Sequence, residues 1–374
     1  MSMTENEILE NANILQRVMG SQQKTALRDF DPQQLVLEHL KVLGDREIQI
    51  LLSRHGLNDG QEQTLEFIGK RLNLTRERVR QIEKDSFKKL KKNPFSEGLG
   101  KGIDLIFQIL EGHGSIMRET DLLNVTVPQG NDVTRHSILF LLNLSPSFIP
   151  HKESHEIYRS WSLAAFDREN FGKIIVSTRE LIEAAKKPLP ANRLFGLLRS
   201  KNVLPTDRLF TDESLESIIE VSKSFDKNPF NEWGLGTWLE IHPKDVGDKA
   251  FLVLEHHGKP EHYSKITELI NKQKFDDRTA HMETVHNELI RDGRFVLIGR
   301  GIYALKKWGY EKGTVGDVIE SILKKSQRPL AREEIITEVL KQRIAKKNTI
   351  IVGLADKKRF QKTQENKYLL SHNA

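Results

Sequence analysis

Between residues 44 and 92 the apolar residues fall into three helical stripes separated by two tight breaks, and no other stretch restricts the fold as much. Ile48, Leu51 and Leu52 make the first stripe, and Gly56 closes that helix where a positive φ costs glycine little. The cluster Asn58-Asp59-Gly60 is a turn. Thr64 can cap a short helix whose inner face is Leu65, Ile68 and Leu72. The turn Asn73-Leu74-Thr75 then leads into a longer helix, with Thr75 as its N-cap and Val79, Ile82, Phe87 and Leu90 near multiples of 3.6. A short helix, a tight turn and a longer helix make the helix-turn-helix plan.

The outward face of the longer helix bears on function. Arg76, Glu77, Arg80, Gln81 and Lys84 lie on its polar side, and in this plan the N-terminal part of the second helix enters the DNA major groove. Arginine can grip guanine O6 and N7, glutamine suits adenine, and glutamate can accept from cytosine N4. Those five are the candidate base readers. Arg46, Arg54, Lys70, Thr75, Arg78, Lys88, Lys89, Lys91 and Lys92 are placed to touch phosphates, which positions a domain without reading sequence. The charge distribution agrees. The whole chain is only +6, residues 1–40 are net −3, and residues 70–92 are net +7. Concentrated positive charge is the footprint of a phosphate-binding face, although a solvated lysine-rich helix gives the same signal.

Residues 44–92 resemble region four of primary bacterial sigma factors. The likeness runs from Asp45-Arg46-Glu47 through Thr64-Leu65-Glu66 and Ile68-Gly69 to the core T-R-E-R-V-R-Q-I-E beginning at Thr75. The resemblance implies recognition of the promoter −35 element and docking on the flap of the RNA polymerase β subunit. It makes Arg76, Glu77, Arg80 and Gln81 the base readers and puts Arg54 and Lys70 near the DNA backbone. The chain departs from that family in one respect. Nothing resembles the aromatic-rich region that melts the −10 element, which needs stacking platforms for flipped bases. Residues 1–92 hold only Phe30, Phe67 and Phe87 as aromatics. The expectation is a reader without the melter, not a complete sigma factor.

The remainder repeats one plan. Residues 248–309 open with an apolar helix, K-A-F-L-V-L-E-H-H-G-K-P, followed by helices around Ile266–Ile270 and Ala280–Arg291. They end in R-F-V-L-I-G-R-G-I-Y-A-L, which alternates around a glycine turn as a β-hairpin does. Three helices and a hairpin make a winged helix. Helices at Val315–Lys325, Arg332–Lys341 and Thr349–Lys357, with the tail R-F-Q-K-T-Q-E-N-K-Y-L-L, repeat the order. Phe295 and Tyr303, like Phe360 and Tyr368, are eight apart, as matching inward aromatics on a hairpin require. Fainter copies end at Phe148 to Trp161 and near Trp233 and Trp238.

The fold class expected is mainly α, with tandem helix-turn-helix and winged-helix modules and short β-hairpin wings. The segments expected are 1–40 (N-terminal helical), 41–95 (helix-turn-helix), and winged helices at 101–165, 166–242, 246–310 and 311–374. Within 246–310, K-P-x-H-Y from Lys259, N-E-L from Asn287, D-G-R-F-V from Asp292 and I-G-x-G-x-Y-x-L-x-x-W up to Trp308 resemble a HARE-HTH domain, the fold of the N-terminal domain of the RNA polymerase δ subunit. That resemblance implies association with transcription or nucleic acid and no particular contact.

A second basic block, residues 341–362, is net +7. Lys341, Arg343, Lys346, Lys347, Lys357, Lys358 and Arg359 form a second candidate DNA patch, against the alternative of a solvated surface.

Other chemistry has little support. His256, His257 and His262 come without H-E-x-x-H or cysteine, so they read as a helix end and turn and not a metal site. Gly98-Leu99-Gly100-Lys101-Gly102 lacks the phosphate-loop pattern G-x-x-x-x-G-K-[ST] and reads as a linker. Trp233, Trp238, Tyr158 and Trp161 read as core plugs at hairpin ends. No catalytic motif, cofactor, signal peptide or stretch of about 18 apolar residues stands out, so the expectation is a cytoplasmic, nucleoid-associated protein that is not an enzyme. The leading reading is a transcription factor on promoter-like double-stranded DNA, working with core RNA polymerase and not with a membrane. The alternative is a polymerase-bound scaffold that holds the β flap and touches DNA weakly and non-specifically.

Overall fold

The computed structural model describes residues 25–201, 203–205, 210–310, 313–343 and 345–371. Residues 1–24 of the expected N-terminal segment therefore lie outside the described residues. The chain is mainly α, with short three-stranded antiparallel sheets. It divides into two compact units, one formed by residues up to 184 with 191–225, the other by 185–190 with 226 onward.

The first unit begins with α1 (Pro32–Leu40), α2 (Asp45–Arg54), α3 (Leu65–Leu72) and α4 (Arg76–Lys92). Side-chain caps start most of them. Asp31 accepts from the Gln34 N–H at 3.0 Å, Thr64 from Phe67 at 3.2 Å and Thr75 from Arg78 at 3.1 Å. Each satisfies a first-turn amide that the helix itself leaves unpaired. After α2, Gly56 takes φ +61°, as its place at the helix end requires.

Ser96 caps α5 (Glu97–Gly112), and this overturns one expectation. Gly98 to Gly102 are not a linker but the opening turns of a helix. The sequence is poor in helix formers there, yet Leu99, Ile103 and Ile106 are buried, and tertiary packing outweighs propensity. A Cβ on Gly102 would come within 2.9 Å of the Phe30 ring, so glycine permits the close approach.

Next come β1 (Ile116–Arg118), α6 (Glu119–Thr126), α7 (Asp132–Leu144), β2 (Phe148–His151) and β3 (Ser160–Leu163), with sheet order β1-β3-β2. Ile116 faces Ser162, and Phe148 faces Leu163. One hydrophobic core runs from Val36, Leu40, Leu51 and Leu90 to Leu110, Phe140 and Trp161. The helix-turn-helix and the winged helix after it are thus joined by continuous packing. The helix α7 lies inside that packing. Residues of α1 cover it, and the Phe87 ring of α4 sits 5.0 Å from that of Phe140. Trp161 is a buried plug whose indole N–H donates to Glu119 at 2.8 Å. Tyr158 is half-buried, with Arg118 and Lys223 each 5.2 Å from its ring centre.

The stretch expected as 166–242 holds α8 (Arg168–Ala185), β4 (Leu189–Pro190), α9 (Ala191–Ser200), α10 (Asp212–Glu220), β5 (Phe225–Lys227) and β6 (Glu232–Leu235), with sheet order β4-β6-β5. It is shared between the two units: α9 and α10 belong to the first, β4 and β6 to the second. Trp233 on β6 is buried, and Trp238 is half-buried.

The rest of the second unit repeats the plan twice. The first copy is α11 (Val246–His257), β7 (Glu261–His262), α12 (Tyr263–Gln273), α13 (Met282–Arg291), β8 (Phe295–Gly299) and β9 (Ile302–Leu305). The second is α14 (Val315–Ser326), β10 (Leu330–Ala331), α15 (Arg332–Gln342), α16 (Lys347–Leu354), β11 (Phe360–Lys362) and β12 (Lys367–Leu370). Their sheet orders are β7-β9-β8 and β10-β12-β11, so in each the last strand runs down the middle. The expected aromatic pairs face their cores but not each other. Phe295 lies opposite Leu305, and Tyr303 opposite Leu297. Phe360 lies opposite Leu370, and Tyr368 opposite Lys362. A spacing of eight keeps both aromatics on one face of the hairpin but does not make them direct partners.

Candidate nucleic-acid interface

The surface around α4 depends on a small separate core. Ile50, Ile68 and Val79 have no exposed surface, and Leu65, Leu72, Leu74 and Ile82 close around them. Burying each such side chain stabilises by roughly 1.5–3 kcal/mol. The turn between α3 and α4 is fixed locally. Asn73 takes a left-handed conformation with φ 51°, and the Leu74 N–H donates to the Gly69 carbonyl at 2.9 Å. A Cβ on Gly69 would lie 2.7 Å from the Leu74 carbonyl oxygen, so only glycine lets the turn fold back this tightly.

On that support the 17-residue α4 extends for about 25 Å. Its second half is held by Phe87 and Leu90 in the large core, and His39 on α1 contacts the Leu90 carbonyl at 3.2 Å. Its first half stands clear. Arg76, Glu77, Arg78, Arg80, Gln81 and Lys84 lie on its surface, with Arg80 and Glu77 each more than half exposed. They are also organised. Arg80 donates to both oxygens of Glu77, at 2.8 and 2.7 Å. The Gln81 amide donates to Glu77 at 3.4 Å, and Arg78 donates to Gln81 at 3.4 Å. The hydrogen bond from Arg80 holds the Glu77 carboxyl below its ordinary range. This mutual pairing is not among the expectations from the sequence, though the i,i+3 spacing of Glu77 and Arg80 is a signal for it.

Apart from Arg54 and the Gln81-bonded Arg78, the expected phosphate-contacting residues divide into three groups. Lys88, Lys91 and Lys92 lie at the surface and carry no hydrogen-bonded partner among the described residues, as do Arg76 and Lys84 on the reading face. Thr75 is exposed but uses its oxygen as the α4 cap. Arg46, Lys70 and Lys89 are exposed but engaged: Arg46 with the Leu72 carbonyl at 3.1 Å, Lys70 with Glu66 at 2.9 Å and Lys89 with Glu47 at 2.6 Å.

Arg54 is the most engaged of the set. It is half-buried, donates to the Gln63 carbonyl at 3.0 Å and lies 3.6 Å from Glu83. Its guanidinium ties α2 to the following loop and to α4. His55 stands 3.3 Å from the same Glu83. Burial pushes the Glu83 carboxyl up, but His55 and Arg54 outweigh it and bring the group below its ordinary value.

The second basic block divides in the same way. Arg343 is only 8% exposed and donates to the carbonyls of Gly313 and Leu297. Arg359 pairs with Asp317 at 2.5 Å and Glu320 at 2.8 Å, and Lys341 with Glu338 at 2.6 Å. The two arginines hold the module together. Lys346, Lys347, Lys357 and Lys358 remain at the surface.

The three histidines weighed above as a metal site, His256, His257 and His262, have separate roles. His256 stacks on Phe230 at 3.6 Å and meets Glu232 at 3.0 Å. His257 meets Glu261, four residues on, at 2.8 Å, and His262 caps α12.

The class defined by this geometry is a chain of helix-turn-helix and winged-helix modules. Residues 39–92 match the family described as Sigma-70, region 4. Residues 246–308 match the HARE-HTH family, described as an HTH domain of ASXL and restriction endonuclease proteins. The chain therefore carries both kinds of segment. It is 34% identical over 106 residues to the RNA polymerase sigma factor SigA of Clostridium acetobutylicum, a match covering 24% of this chain and 28% of that one. It is 50% identical over 54 residues to SigA of Lactococcus lactis subsp. cremoris, covering 14% and 15%. It is 51% identical over 49 residues to SigA4 of Synechococcus elongatus, covering 13% and 16%. The chain spans less than a third of the length of these relatives. Among the described residues no helix is long and apolar enough to cross a membrane.

Proposed function

We propose that this protein is a DNA-binding transcription factor that reads promoter-like duplex DNA with the first half of α4 and acts together with RNA polymerase. One observation carries the reading: groove-reading side chains stand at the surface of a helix whose opposite side is anchored by Val79 and Leu90. Arg76 and Arg80 suit guanine, Gln81 suits adenine, and Glu77 can accept from a cytosine amino group. The Glu77–Arg80 pair is open to water, so exchanging it for base contacts costs little. Lys84 completes the reading face, and Lys88, Lys91 and Lys92 continue along the same helix toward the phosphates, with Arg46, Lys70, Thr75 and Arg78 beside them.

Polymerase enters as partner through the sigma-like segment, with the β flap as its docking site. The protein acts as a reader and not as a complete sigma factor. Of the aromatics in the described part of residues 25–92, Phe30 and Phe87 pack against the large core, which leaves Phe67 alone exposed as a stacking surface.

Gel shift and footprinting on full-length protein test the reading. Arg80→Ala with Gln81→Ala is expected to lose sequence preference while keeping non-specific binding. An unchanged footprint would sink base recognition by α4. A pull-down with core polymerase that recovers none of the protein would sink the partnership.

A further inference from the structure

Each winged helix has a third helix in the position that a DNA-reading helix would occupy, and the four differ in what they present. In the first, α7 is covered by α1 and by Phe87. In the next, α10 carries Asp212, Glu213, Glu216 and Glu220 and no basic residue. In the HARE-HTH segment, α13 offers Glu283 and Glu288 against Arg291, which is paired with Glu288 at 2.6 Å. The last, α16, contains no acidic residue and is flanked by lysines at both ends.

We infer that the C-terminal winged helix makes a second contact with duplex DNA, in which Lys346, Lys347, Lys357 and Lys358 around α16 bind backbone phosphates. The charge balance of this module supports it. Every acidic side chain in the described part of residues 313–371 is already engaged. Asp317 and Glu320 hold Arg359, and Glu320 also holds Lys324. Glu333, Glu334 and Glu338 pair with Arg332, Arg328 and Lys341. Asp356 accepts from the backbone of Lys358, and Glu365 pairs with Lys367. The ammonium groups of Lys346, Lys347, Lys357 and Lys358 have no hydrogen-bonded or ionic partner among the described residues. Their charge is left uncompensated at one helix of the module, which draws a polyanion.

The exposed face of α16 fits a groove. Asn348 can pair with adenine, and the exposed Ile351 and Val352 suit thymine methyl groups. Val352, at 73% exposed, is a large apolar side chain left open to solvent. Arg343 and Arg359 contribute indirectly, by fixing the scaffold from which the lysines project.

The contact is separate from α4 and does not rest on its reading. Fluorescence anisotropy of the full chain on a scrambled duplex of about 30 base pairs, across a salt series, tests it. Each phosphate contact adds about 0.9 to the slope of log K against log salt. The fourfold variant Lys346→Ala, Lys347→Ala, Lys357→Ala, Lys358→Ala should lower that slope by about 3 to 4. The corresponding fourfold Lys→Arg variant should retain it. Arg80→Ala with Gln81→Ala should remove sequence preference and leave this part of the slope in place, so failure of either contact is seen without the other. A slope unchanged in the alanine variant, with an unchanged circular dichroism spectrum, would overturn the inference. So would tighter binding of polyglutamate than of duplex through the same lysines, which would make the patch a site for an acidic polypeptide.

Discussion

The helices α4 and α13 occupy equivalent places in their folds and present opposite surfaces. Each follows an anchoring helix and turns two apolar residues inward, Val79 and Leu90 in one, Val285 and Leu289 in the other. Outward, α4 shows arginines, a glutamine and lysines, whereas α13 shows Glu283, Thr284, Asn287 and Ile290, the last 63% exposed. The inward pattern decides that a helix is presented, and the outward residues decide to what. With no lysine, and with Arg291 paired to Glu288, the α13 face offers little free charge for phosphate.

The largest expected effect separates presentation from recognition. Ile68→Ala empties part of the small core under α4 and should cost about 2–5 kcal/mol, as should Leu289→Ala under α13. NMR-detected urea melts of each segment measure both losses. Only the first should abolish sequence-preferring DNA binding, and if Leu289→Ala does so as well, the two helices do not differ as described.

Next in size is recognition itself. Arg80→Ala with Gln81→Ala should remove sequence preference, a loss of roughly 30-fold or more at about 1–3 kcal/mol for each contact, while Thr284→Ala with Asn287→Ala on α13 should leave it alone. Competition gel shifts with single base-pair changes in the footprint give the comparison.

Smaller effects come from pH, and their signs are opposite in the two regions. The Glu83 carboxyl lies below its ordinary value in the folded protein. Its contribution is present at neutral pH and fades as pH falls through the acid range, so the α2–α4 region should weaken on acidification. His256 behaves the other way. Burial pushes its imidazolium down, but Glu232 and the Leu252 carbonyl outweigh burial and hold it above its ordinary value. Its contribution is present below that ordinary value and is lost as pH rises through the folded one, so the α11 region should weaken toward alkaline pH. Urea melts at several pH values, with Glu83→Gln and His256→Gln as references, read both trends. The smallest change is expected from Glu77→Gln, which frees Arg80 without touching the core. It should alter discrimination at a single base position and leave the melting midpoint in place.

Much of the helix-turn-helix was legible in the sequence because its signals are local. Thr64 and Thr75 each cap the helix that follows by accepting from an amide three residues on, Gly56 ends one, and the inward residues recur at helical spacing. The winged helices were legible through repetition of the same order of helices and hairpin. The candidate site was legible only as a set of side-chain types on one face. Its internal pairing was not, although Glu77 and Arg80 are near neighbours, because several exposed partners competed for each charge.

Within residues 44–92 the sequence by itself determined where helices start and stop and which faces turn inward, and along the chain it determined that positive charge gathers at residues 70–92 and 341–362. Only the tertiary structure decided which of those charges stay free. Arg54 is taken by Glu83, Arg359 by Asp317, and Arg343 by the Leu297 carbonyl, partners 29, 42 and 46 residues away. It also decided that the glycine-rich stretch at 98–102 would be helical and that α7 would be covered. Caps and periodicity act within a few residues along the chain, whereas pairing and burial depend on which distant segments pack together.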